Sequence, residues 1–227
     1  MDKIIELDVR PTIADIYSRI TKLSGNEPIL LLGGASIAVL FQKDRKINDI
    51  DAYWHNKTKF AEISKEEFEK NGFDPHYTNG KLDSLIDKAS LIEVDFTTKP
   101  EYENVTRDKI MKMCDGNVKL GEVTLIGVDV SEIMENSMLV KIGNSTIRVP
   151  SILDTLLMKY NLWIYRGEGK TEGQKDAADI KTVIEKGLSN SLADFEAIAK
   201  QVNNRYGEKY AKMFIEDIKR IAALKSD

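Results

Sequence analysis

The rhythm of apolar residues along the chain changes near residue 150. From Ile13 to Leu23 they fall at Ile13, Ile16, Ile20 and Leu23, the spacing of one buried helix face. Ser24-Gly25-Asn26-Glu27-Pro28 breaks that rhythm. Ile29-Leu30-Leu31-Leu32 follows as an unbroken apolar run, which predicts a short strand buried on both faces. Gly33-Gly34 ends the run and Ala35 to Phe41 reads as a helix, so this segment is a strand, a glycine turn and a helix. Asp49 to Trp54 and Leu91 to Phe96 alternate acidic with apolar residues and predict two more strands. Ser64 to Asn71 predicts a short helix, with Ser64 as cap and Glu67 three residues on as a capping box. Val123 to Val130 predicts a fourth strand. Leu139 to Ile142 and Thr146 to Val149, joined by Gly143-Asn144-Ser145, predict a hairpin.

Beyond Pro150 the strand signal fades. Ser151 to Tyr165, Asp176 to Lys186, Leu192 to Val202 and Glu208 to Leu224 all carry helical spacing, the first with Ser151 as its cap. The glycine- and charge-rich stretch from Arg166 to Lys175 predicts a flexible connection able to close over a substrate. It contains Gly169-Lys170-Thr171, but Ile164 stands where a phosphate-binding loop of the Walker type needs its first glycine, and a helix precedes it. The expected fold is α+β: a mixed sheet with flanking helices in a domain 1–150, then a helical bundle over 151–227. No internal repeat appears, and the strands and helices do not alternate as in a doubly wound sheet.

Composition narrows the classes. Of 227 residues, 42% are hydrophobic and 31% charged, which is ordinary for a chain that buries a core. Cys114 is the only cysteine, so neither an intrachain disulfide nor a cysteine zinc cage can form. His55 and His76 lie far apart without ligand spacing and read as loop or surface residues. A net charge of -4 argues against a wholesale non-specific nucleic-acid binder, though lysine clusters in the second half leave room for a local basic patch. The segment Met1 to Glu6 has no secretory pattern. The apolar runs are too short to cross a bilayer. The expectation is a cytoplasmic protein with no membrane partner.

The charged residues of the first half suggest a specific chemistry. Residues two apart on a strand point to one face. Asp49 and Asp51 therefore project together, with Ile50 turned to the core, and Glu93 and Asp95 do the same on another predicted strand. Paired carboxylates of this kind suit magnesium, with manganese as a substitute, held with phosphate oxygens and water. Gly33 and Gly34 lack side chains, so their N–H groups can approach phosphate oxygens closely at the start of a helix. Ser36 adds a hydroxyl donor and Arg45 a positive charge. The chemistry to expect is two-metal transfer from a nucleoside triphosphate.

In these residues the chain resembles the polymerase β-like nucleotidyltransferase superfamily, and within it the AbiEii-type toxin branch. The resemblance rests on Leu32-Gly33-Gly34-Ala35-Ser36, on Arg45 to Asp51, and on Val94-Asp95-Phe96. Ile47 stands where the branch usually has a hydroxyl residue. The resemblance implies a nucleotidyltransferase-like fold, with Asp49, Asp51 and Asp95 as metal ligands. It implies that Lys159 on the first late helix, and Lys175, Asp176 and Asp179 on the next, face the active-site cleft. Lys159 would then stabilise charge on the departing pyrophosphate, and Asp176 would orient it or contact the acceptor. It also implies an NTP donor, an acceptor such as RNA (tRNA included), a protein or a small molecule, and an antitoxin partner. Trp163 and Tyr165 are candidates to stack on a base, although an apolar helix face explains them equally. The competing reading is a non-catalytic nucleotide- or partner-binding module on the same fold. A metal-dependent phosphohydrolase is disfavoured, because its clustered His/Asp motifs are missing.

Overall fold

The structure, a computed structural model, describes residues 8–42, 44–54, 62–96, 100–114, 124–188 and 192–223. The readings placed on the amino-terminal six residues, on His55, on Val123 and on Leu224 lie outside those residues. Its contacts divide the chain into two compact units, one of residues 1–98 and 137–150, the other of residues 99–136 and 151–227.

The first unit is built on a five-stranded sheet of order β1-β2-β5-β4-β3. Its strands are β1 (Ile29–Leu31), β2 (Asp49–Trp54), β3 (Phe73–Thr78), β4 (Lys81–Asp87) and β5 (Glu93–Phe96). β2 and β5 run parallel, whereas β1 with β2, β5 with β4, and β4 with β3 pair antiparallel, so the sheet is mixed. Alternation sends Ile50, Ala52, Trp54, Phe73, Leu85 and Val94 to one face. There they share a core with Ile13, Ile16 and Ile20 of α1 (Arg10–Leu23), Ala35 and Ala38 of α2 (Gly33–Phe41), and Phe68 of α3 (Lys65–Lys70). Ser64 caps α3 as its sequence implies, its side chain accepting from the Glu67 N–H. The hairpin β8 (Met138–Ile142) and β9 (Ser145–Val149) adds Ile147 and Val149 to this core. Tyr17 ties it to the sheet edge: its hydroxyl donates to the Ile29 carbonyl at 2.6 Å and accepts from the Arg148 N–H at 3.2 Å. Burial pushes the Tyr17 phenol up, which keeps the hydroxyl protonated as a donor.

The β3–β4 hairpin is absent from the sequence reading. Its turn is Asn79-Gly80, both in the left-handed region (φ 52 and 75), which is the local signature of a tight hairpin. The strand predicted over Val123 to Val130 needs correcting. Thr124–Leu125 (β6) and Val128–Asp129 (β7) form a small ribbon, reversed at Ile126-Gly127 with φ 52 and 73. Asp129 then accepts from the Ser131 N–H at 2.7 Å and opens a helix, α5 (Val130–Asn136). A further helix, α4 (Pro100–Met113), was also not anticipated.

Helices dominate the second unit: besides α4 and α5 it holds α6 (Ile152–Arg166), α7 (Thr171–Gly187), α8 (Leu192–Tyr206) and α9 (Glu208–Ala223). Ser151 caps α6 by accepting from the Asp154 N–H. The connection between α6 and α7 is shorter than expected, because α7 begins at Thr171. Gly173 lies within α7, where a Cβ would fall 2.1 Å from the Gly167 carbonyl oxygen, so this glycine serves close packing and not flexibility. The core stacks Tyr160, Tyr206, Tyr210 and Phe214 in edge and face contacts. Cys114 is buried, as a small hydrophobe would be. Among the described residues, no helix is long and apolar enough to cross a membrane.

Candidate active site

On the sheet face opposite Ile50 and Val94, the pairing of β2 with β5 sets four acidic residues in two register pairs. Asp49 lies across from Glu93, and Asp51 across from Asp95. Parallel neighbours stand about 4.8 Å apart, and residues in register project to the same side. Asp49 is exposed and the other three are partly exposed, so water and ions can reach them. Antiparallel pairing extends the rows, setting Ser84 across from Asp95 and His76 across from Ser84. Ser84 is buried, and its hydroxyl donates to Glu93 Oε1 at 2.6 Å. Glu93 is thus tethered on the β4 side. His76 sits on the outermost strand and is exposed, consistent with a surface residue.

The glycine turn meets this face at Asp51. The Leu32 N–H donates to the Asp51 carbonyl at 2.8 Å, carrying the β1–β2 pairing up to the turn. Gly33 adopts φ +59, and a Cβ on it would lie 2.1 Å from Asp51 Oδ2. The Asp51 carboxylate therefore rests directly on the Gly33 backbone, a contact open to glycine alone. Gly34 has a corresponding neighbour: its Cβ would lie 3.3 Å from Arg45 Nη2 and 3.5 Å from Nε. Arg45 Nη1 in turn donates to Gln42 Oε1 at 3.2 Å. No side chain caps the start of α2, which follows Leu32 directly. Ser36 is buried, and its hydroxyl donates to the Gly33 carbonyl at 2.9 Å, so it braces the turn from within.

The candidates of the second unit form their own cluster. Lys159, 9% exposed, places Nζ 3.2 Å from Asp176 Oδ1 and 2.8 Å from Asp179 Oδ2. Arg166 Nη1 lies 3.0 Å from Asp176 Oδ2, so two cations face two buried aspartates. Lys175 is exposed on α7. Trp163 is buried beside Tyr160, with Arg220 over its ring, and Tyr165 lies beneath Lys109. Packing accounts for Trp163, whereas Tyr165 is exposed. Ser84 and Gln42 were missed in the sequence. Ser84 lies on an unrecognised strand, and Gln42 ends a helix with nothing local to mark it.

The mixed sheet with its flanking helices and the helices that follow constitute a nucleotidyltransferase-like fold. Among solved structures, the chain is similar to an antigenic nucleotidyltransferase-like protein from Paracoccidioides brasiliensis, with a TM-score of 0.53 over 92% of each chain and 15% identity. At that identity the likeness establishes the fold alone. No protein-family model and no curated protein matches the chain.

Proposed function

We propose that this chain is a magnesium-dependent nucleotidyltransferase, moving a nucleoside monophosphate from an NTP to an acceptor hydroxyl. The observation that carries the reading is the register of Asp51 beside Asp95, with the Asp51 carboxylate resting on the Gly33 turn. Among the described residues, no group of three or more His, Cys, Asp or Glu side chains is placed to hold a metal ion. Magnesium does not need one, since it is usually held by one or two carboxylates together with substrate phosphates and water. Aspartates on adjacent parallel strands beside a phosphate-accepting turn fit that requirement.

In this account Asp51 and Asp95 would hold the ion, with Asp49 beside them on the same face of β2. When bound, magnesium supplies charge neutralisation for the triphosphate and Lewis-acid activation of the attacking oxygen. The N–H groups of Gly33 and Gly34, at the uncapped start of α2, receive phosphate oxygens, and Arg45 balances their charge. The acceptor oxygen bonds to the α-phosphorus as the bond from that phosphorus to the pyrophosphate oxygen breaks. The acceptor proton is released, and pyrophosphate leaves.

Within the superfamily, the AbiEii-type branch is the assignment favoured by Arg45 to Asp51 together with Lys159 and Asp176. It makes RNA, tRNA included, the first acceptor to test. An antitoxin partner and a cytoplasmic location go with it. The experiment is incubation with each α-labelled NTP, magnesium and total RNA or protein. Label joined to an acceptor with release of pyrophosphate supports the reading. Release of inorganic phosphate without transfer points to a hydrolase, and nucleotide binding with neither product points to a binding module.

A further inference from the structure

Arg45 is tied to Gln42 twice. Its backbone N–H donates to the Gln42 carbonyl at 3.2 Å, closing a turn at the end of α2, and its Nη1 donates to Gln42 Oε1 at the same distance. Gln42 and Gly34 are eight residues apart, about 12 Å along a helix axis. The guanidinium nevertheless contacts both, so the arginine side chain folds back along α2 toward the glycine turn. Three of its atoms, Nη2, Nε and Cζ, stand 3.3, 3.5 and 3.7 Å from the point a Cβ on Gly34 would occupy. Cζ is the farthest of the three, so the group turns its Nη2–Nε edge toward Gly34 while Nη1 reaches Gln42.

An arginine side chain has several rotatable bonds and holds one pose only where something fixes it. We infer that Gln42 is a positioning residue, which fixes the Arg45 guanidinium against Gly34 so that it meets the phosphate chain of the nucleotide. This inference rests on the proposed nucleotide site. Gln42 touches no substrate and acts through Arg45.

The test is equilibrium binding of magnesium with ATP, GTP, CTP and UTP in turn, without acceptor, to the full chain and to Gln42→Ala, Arg45→Ala and the double variant. Gln42→Asn, too short to reach the guanidinium, serves as a second probe. Loss of the charge-assisted hydrogen bond that orients Arg45 should weaken binding about tenfold or more, and Arg45→Ala at least as much. The decisive result is non-additivity: the double variant should bind no more weakly than Arg45→Ala. A purely structural Gln42 would instead lower the urea midpoint and give additive losses. If the unmodified protein binds none of the four nucleotides, the nucleotide-site reading falls and this inference with it. If it binds one, but Gln42→Ala and Gln42→Asn bind equally well or the losses add, only the role of Gln42 is overturned.

Discussion

Replacing Gly33 by alanine tests the junction of turn and carboxylate, because two separate costs can be read from its surroundings. The first is conformational. Gly33 sits at φ +59, and a residue with a Cβ pays about 1 kcal/mol there. The second is steric. The new methyl would lie 2.1 Å from Asp51 Oδ2 and 3.1 Å from its Cγ, so the carboxylate must swing off the turn. Gly25 is the control, since it has φ +71 and nothing within 4 Å, and Gly25→Ala should carry the conformational cost alone. Urea denaturation should therefore show Gly25→Ala about 1 kcal/mol less stable, and Gly33→Ala about 2–3 kcal/mol less stable. Truncating Asp51 to alanine leaves only its Cβ near the methyl, at 3.5 Å, an ordinary contact. In that background Gly33→Ala should cost no more than Gly25→Ala does. The displaced carboxylate should also abolish magnesium-dependent nucleotide binding in Gly33→Ala. Equal costs for the two glycines, or Gly33→Ala binding nucleotide normally, would refute the reasoning.

Lys159→Met removes the ammonium that faces Asp176 and Asp179, leaving a buried carboxylate whose main cation is gone. With Arg166 still on Asp176, thermal or chemical unfolding should show a loss of about 3 kcal/mol, partly recovered by adding Asp179→Asn. Asp87 gives a pH signature: burial pushes its carboxyl up, but hydrogen bonds from Ser90 and Arg19 outweigh that and hold it below the ordinary range. Its stabilisation is therefore complete above about pH 4 and lost as the pH falls through the lowered value. Asp87→Asn should be less stable than the unmodified protein at pH 7 by about 1–3 kcal/mol, with the gap narrowing in acid. Asp51→Asn and Asp49→Asn should each cost of order a thousandfold in transfer rate while leaving the unfolding midpoint nearly unchanged.

The elements legible in the sequence were those whose side chains report burial directly. Ile29 to Leu31 is apolar because every position is buried, and Asp49 to Trp54 alternates because one face is core and the other carries carboxylates. The β3–β4 hairpin escaped because Tyr77 is exposed where the alternation begun by Phe73 and Pro75 calls for a buried residue, at the register shift after His76. Its Asn79-Gly80 turn was the readable signal. Val123 to Val130 misled because apolar spacing says nothing of a reversal at Ile126-Gly127. At the site, residue types and two-residue spacing named Asp49, Asp51, Glu93 and Asp95, but strand order lies outside local sequence. The pairing of Asp51 with Asp95 and the tether of Glu93 to Ser84 depend on it, and the fold of Arg45 back onto Gly34 depends on the turn at Gln42. Lys159, Asp176 and Asp179 were singled out by resemblance, Asp176 as a group to orient the lysine, whereas the contact of Asp179 with Lys159 and the pairing of Arg166 with Asp176 emerge only from the packing of α6 on α7.

The central claim is that Asp51 and Asp95 together hold a divalent ion at the glycine turn. Manganese, which replaces magnesium at such oxygen sites and is visible by electron paramagnetic resonance, gives the most direct measurement. The protein would be titrated with Mn2+ in the presence of a non-hydrolysable NTP analogue, alongside Asp51→Asn and Asp95→Asn. The account predicts protein-bound manganese that requires the nucleotide and disappears in both variants while their unfolding midpoints stay in place. Manganese uptake equal in all three proteins, or none in the unmodified one, would contradict it.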